Sequence, residues 1–169
     1  NMIIADRKQL LNGNEFILGV SGGGKSFAAK GEIVNQILSS DADVIIVDPE
    51  REYGALVNAL GGEVINISAT SKNHINAMDM SEEYGCTAGV YRTYQQNNYT
   101  GRVPTLQDFR AELLQQDEPE AQEIALAIEL FTNGSLNTFA KQTNVDTDNR
   151  LICYDILDLG KQLMPIGML

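Results

Sequence analysis

A chain of 169 residues with 43% hydrophobic and 21% charged residues is long enough for one ordinary core and too apolar to be disordered. Its formal net charge of −11, from 12 basic against 23 acidic residues, argues against a broad nucleic-acid surface, since that affinity comes from Lys and Arg displacing counterions. The same acidity disfavours docking on an anionic membrane. No apolar run reaches the roughly 18 residues of a membrane span, and "NMIIADRKQL" lacks a signal-peptide pattern. Two cysteines, Cys86 and Cys153, are too few for a disulfide framework, so a reducing, cytoplasmic setting is expected.

In chain order, "MIIAD" (Met2 to Asp6) and "FILGV" (Phe16 to Val20) read as strands around "RKQLLNGN", whose Asn-Gly pair marks a turn. "KSFAAKGEIVNQIL" follows as an amphipathic helix, with Phe27, Ile33, Val34, Ile37 and Leu38 near helical spacing. "DVIIVDP" is a short apolar run expected to form a strand buried on both faces. "EYGALVNALGG" predicts a helix closed by Gly61 and Gly62, and "EVINIS" another strand.

The second half is more helical. In "VPTLQDFRAELLQ", Thr105 and Asp108 make a capping box with Asp in place of Glu. "DEPEAQEIALAIELFTNGS" predicts one helix with Pro119 in its first turn, Ile124, Ile128 and Phe131 on one face, and a stop at Asn133-Gly134. "RLICYDI" is a late strand, with Cys153 behaving as a small buried hydrophobe. The small-residue junction from Gly85 to Gly89 and the apolar end "GKQLMPIGML" fit no element, and the latter suggests a fragment. The alternation argues for an α/β fold, a mostly parallel sheet with helices on both faces, in one domain over 1–169.

The chemistry concentrates in "GVSGGGKS", Gly19 to Ser26, which matches Gly-x-x-x-x-Gly-Lys-[Ser/Thr], a Walker A loop between a predicted strand and a predicted helix. Small residues let successive backbone N–H groups turn inward on an anion. The expected nucleotide-binding set is Ser21, Gly22, Gly23, Gly24, Lys25, Ser26 and Phe27. Lys25 reaches the β- and γ-phosphates, and the Ser26 hydroxyl ligates Mg²⁺. The helix that follows offers its free N–H groups to the same phosphates.

Hydrolysis further needs a carboxylate at a strand end. Asp48 ends "VIIVD", followed by Glu50 and Glu52; Asp155 ends "LICYD", followed by Asp158. Asp48 is read either as a metal-side acid or as an Asp-Pro turn residue, and Asp155 as a turn or capping acid ahead of a site acid. Neither strand carries an adjacent Asp-Glu pair. His74, the sole histidine, has no ligand set near it in sequence and reads as structural or exposed.

Together, "FILGVSGGGKSFAAK", "DPEREYGALVNALGGEVINIS", "HINAMDM", "VPTLQDF", "GSLNTFA", "TNVD" and "LICYDILDLGKQL" resemble, in this order, the C-terminal ATPase domain of the CagE/TrbE/VirB family. These are ATPases of conjugation and type IV secretion, and the likeness is to members from Gram-positive conjugative elements. The resemblance implies a three-layer, RecA-like P-loop NTPase related to HerA and FtsK, using ATP and Mg²⁺. It matches Gly19 through Ser26 to the family's Walker A, and Asp48, Pro49, Glu52 and Tyr53 to its Asp-Pro-x-x-Glu-Tyr motif. That makes Lys25 and Glu52 the candidate catalytic residues, Glu52 beside the γ-phosphate, and Ser26 and Asp48 the candidate metal residues.

Ala77 stands where the family commonly has proline, which bears on a turn. The resemblance also implies a helical insertion missing between residues 85 and 91, and Walker B acids beyond Leu169, so the fold is expected to be incomplete. The implied partners are further copies of the same ATPase, hexamers being usual in related motors, and proteins of the secretion apparatus. Any membrane contact would be peripheral, at the cytoplasmic face. Two other readings stay open: a non-hydrolysing, nucleotide-gated docking module, and a DNA translocase of the HerA/FtsK type.

Overall fold

The computed structural model describes residues 11, 13–79 and 89–160. The expected strand Met2 to Asp6, most of the Gly85 to Gly89 junction and the apolar end after Gly160 lie outside the described residues. The chain divides into two compact units, Asn1–Asp41 and Ala42–Leu169.

In the first unit, the glycine loop leads into α1, Lys25–Ser39. Ile33, Val34 and Ile37 are half-buried along it, whereas Phe27 and Leu38 are exposed. Residues 16–20 form no strand. An apolar run becomes a strand only where a neighbour takes its backbone groups, and among the described residues Phe16, Leu18 and Val20 are exposed.

The second unit carries β1 (Val44–Asp48), α2 (Gly54–Ala59), β2 (Glu63–Asn66), α3 (Arg92–Gln96), α4 (Leu106–Leu113), α5 (Pro119–Ala127), α6 (Glu129–Thr132) and β3 (Leu151–Asp155). The three strands form a sheet in the order β1-β3-β2, parallel throughout. β3 is central, and its "LICYD" run is almost wholly buried, as a parallel strand covered on both faces requires. β1 corrects the expectation of two buried faces. It lies at the edge of the described sheet, with Ile46 and Asp48 buried while Ile45 and Val47 are 66% and 48% exposed.

The main core joins Ile65 and Ile67 to Leu136, Phe139, Ile152, Ile156 and Leu159. A second cluster of Leu113, Ala121 and Ala125, with Phe109 and Ile128 against it, ties α4 to α5. The expected single helix over 117–135 is therefore two. It breaks at Ile128, where Arg110 donates 3.0 Å through Nε to the Ala125 carbonyl and pairs through Nη2 with Glu129. Of the three residues read on one face, Ile128 packs against this cluster and Phe131 against the main core, while Ile124 is exposed.

Local signals end α2 and start α4 as read. Gly61, at φ 76°, follows the end of α2 and donates to Asn58 O, while Gly62 N donates 2.9 Å to Val57 O, the paired bonds of a Schellman ending. At α4, the Thr105 amide donates 2.8 Å to the Asp108 carboxylate in a capping box. Burial opposes ionisation of Asp108, but Arg102 and Thr105 outweigh it and hold the carboxyl below its ordinary range.

A polar buckle spans the motif segments "HINAMDM" and "TNVD". The His74 backbone accepts from Asn144 N and donates to the Asn144 side-chain Oδ1, and buried Asn76 donates 2.8 Å to Pro104 O and accepts from Met78 N. His74 is half-buried, its Nδ1 without a hydrogen-bond partner. Burial first, and then the charge of Lys141, hold its imidazole below the ordinary histidine value.

Candidate functional site

The glycine loop begins with a tight turn, in which Gly23 N donates 3.0 Å to Val20 O. A Cβ at Gly23 would sit 2.9 Å from that same carbonyl, so the turn leaves no room for a side chain. Gly24, at φ 80°, is the N-cap of α1; the left-handed conformation there suits glycine and strains other residues. Ala28 N donates to Gly24 O as the helix ladder starts, so the amides of Lys25, Ser26 and Phe27 precede it. Helix N-termini of this kind favour anions through these N–H groups and the helix dipole.

Lys25 folds back along the loop, its Nζ donating 3.1 Å to Gly19 O and 3.0 Å to Val20 O. The Ser26 side chain lies in the first turn of α1, half-buried. A compact cation, a hydroxyl and a turn stripped of side chains fit a polyphosphate and its counter-ion.

In the second unit, three polar residues stand in one row at the carboxyl ends of the strands. Asp48 of β1 and Asn66 of β2 each pair in register with Asp155 of β3. Asp48 is 1% exposed, and its carboxylate accepts from Glu50 N at 3.2 Å and Tyr53 N at 2.9 Å. Both oxygens thus serve the turn that starts α2, as an Asp-Pro turn acid does. Glu52 is exposed on that turn.

Asp155 is buried beside it and accepts from Leu157 N at 3.1 Å. Arg51, three residues after Asp48 and at φ 57°, forks onto it, with Nε and Nη2 donating to the two Asp155 oxygens and Nη2 also donating 2.6 Å to Asp158. Burial would raise the Asp155 carboxyl, but Arg51 and the Leu157 amide hold it below the ordinary carboxylate range. The two acids push the Arg51 guanidinium above its usual value. Cys153 is pushed up to about 11, chiefly by burial and then by Asp48 and Asp155, so it stays a thiol at neutral pH.

Among the described residues no cluster of three or more His, Cys, Asp or Glu side chains could hold a metal ion. None of their helices is long and apolar enough to cross a membrane. Sequence reasoning named Asp48, Asp155 and Asp158 but missed Arg51, whose only sequence signal was a basic residue between Glu50 and Glu52.

The fold is that of a RecA-like α/β domain with a parallel sheet. Residues 6–152 match the family described as "Helicase HerA, central domain", and the chain belongs to that family. Among solved structures, VirB4 of Thermoanaerobacter pseudethanolicus matches with a TM-score of 0.65 and 21% identity, over 92% of this chain and 52% of that one. The chain thus spans about half the length of that VirB4 chain, and the likeness establishes a shared fold. No curated protein matches it.

Proposed function

We propose that this chain is the ATP-binding part of a motor ATPase of the type IV secretion and conjugation class, which couples ATP hydrolysis to substrate transfer or apparatus assembly when whole and assembled. The observation that carries the reading is the Gly19–Ser26 loop running into the N-terminus of α1, with Lys25 laid along it. The HerA family match and the VirB4 fold support it.

In this reading the amides from Ser21 to Phe27 wrap the phosphates, and Lys25 gives up two carbonyl partners for the β- and γ-oxygens. Ser26 would hold Mg²⁺, which would supply positive charge against the phosphates. Asp48 shapes the turn that carries Glu52. Further copies of the chain and apparatus proteins are the partners in the assembled machine.

Calorimetry with Mg·ATP and a non-hydrolysable analogue tests this reading. Wild-type chain should bind both, and Lys25→Ala should lose most of the affinity for each. Equal binding by wild type and Lys25→Ala contradicts it.

A further inference from the structure

Charge is segregated along the second unit. Residues 89–107 carry Arg92 and Arg102 and no acid, the longest acid-free run of the described chain, whereas residues 111–140 carry six acids and no base. Both arginines are exposed. Arg102 stands at a cleft of about 380 Å³, lined also by Thr93, Tyr94, Asn97 and Asp108. Asp108 is engaged there by three donors, Arg102 Nη1, Thr105 N and Thr105 Oγ1. Arg102 reaches it through Nη1 alone, which leaves the Nε and Nη2 donors for a second carboxylate. The rim of the cleft holds an unusual backbone: Asn98 and Tyr99 sit at φ 53° and 56°, a region that few side chains accept. The Tyr99 amide donates 3.0 Å to Tyr94 O, and the two rings meet edge to face at 5.7 Å.

The opposite sign gathers at the start of α5. Asp117, Glu118, Glu120 and Glu123 are exposed there, and Arg110 of α4 is committed to the Ala125 carbonyl and Glu129 instead. Leu114, Ile124 and Leu126 are exposed in the same stretch. Among the described residues no ion pair joins Arg92 or Arg102 to these acids, so each face lacks its complement within one copy. We propose that the α3 cleft of one copy of this chain receives the acidic start of α5 from a second copy, with Arg92 and Arg102 opposite Asp117, Glu118, Glu120 and Glu123. This inference rests on the reading above that further copies of the chain are its partners, and it does not depend on nucleotide binding. A contact between unlike faces is heterologous, so each copy keeps one face open for the next. Opposite charge steers the encounter and fixes its register, and the exposed apolar side chains supply area to bury.

The test is sedimentation velocity on the chain without nucleotide, over a concentration series at low and high salt, with thermal melts alongside. Wild type should self-associate at low salt and weaken as salt screens the exposed charges. Arg92→Glu with Arg102→Glu, and separately Glu120→Lys with Glu123→Lys, should each weaken that association about tenfold or more, since like charges then face each other. An equimolar mixture of the two variants should recover it, because each supplies the face that the other lacks. The salt series needs no substitution, so it decides even where a variant melts early. Wild-type association that ignores salt, association that either variant leaves unchanged, or a mixture of folded variants that stays monomeric overturns the proposal while self-association stands. A wild-type chain that stays monomeric overturns both.

Discussion

Asp48 and Asp155 pair in register at the carboxyl ends of β1 and β3, yet their carboxylates are engaged differently. Asp48 turns to its own loop, accepting the Glu50 and Tyr53 amides, while Asp155 takes the side chain of Arg51. One acid shapes the turn and the other anchors it.

Asp48→Ala should therefore destabilise the chain by about 2–3 kcal/mol, the scale for losing hydrogen bonds to a buried charged acceptor. Glu52→Ala, at an exposed position of the same turn, should stay within about 0.5 kcal/mol of wild type. Urea denaturation of the two variants checks the contrast, and equal losses would place the turn's stability elsewhere.

His74 makes stability depend on pH near neutrality. Its imidazole is held below the ordinary value by burial and Lys141, so the unfolded chain binds a proton at about pH 6.5 that the folded chain refuses until lower pH. Stability is then intact above that value and falls as pH drops towards the folded one. Urea midpoints measured between pH 7.5 and 5.5 should decline, and His74→Gln should flatten this part of the slope. Asp155, depressed in the folded chain, adds a separate loss at acid pH, as the pH falls through the ordinary carboxylate value to the lower folded one.

Two glycines should respond in opposite directions. A Cβ at Gly62 would lie 2.6 Å from Leu151 O and 2.8 Å from Val57 Cγ1, whereas one at Gly31, within α1, meets nothing within 4 Å. Gly62→Ala should cost roughly 1–3 kcal/mol by overpacking. Gly31→Ala should stabilise α1 by about 0.5–1 kcal/mol through helix propensity. Thermal melts of both variants decide the pair, and a neutral Gly62→Ala would contradict the packing at the end of α2.

What the sequence made legible is local. The Thr105–Asp108 box, the Gly61-Gly62 ending, the β3 run and the glycine loop before α1 each depend on neighbours within a few positions, and all are present. Features joined across the chain were not legible. The Arg51–Asp155 fork spans 104 residues and the His74–Asn144 exchange spans 70, and no periodicity encodes either. The break at Ile128 escaped notice because Arg110, from another helix, supplies a donor to the Ala125 carbonyl. Likewise, "VIIVD" reads as doubly buried because its pattern reports apolarity without reporting what covers each face, and Ile45 and Val47 are exposed.

Amide hydrogen exchange with and without Mg·ATP tests, residue by residue, whether the Gly19–Ser26 loop receives the phosphates of ATP. The expected result is slowed exchange concentrated on the amides from Ser21 to Phe27 in wild type and absent in Lys25→Ala. Protection confined to other segments, or unchanged in Lys25→Ala, would contradict the claim.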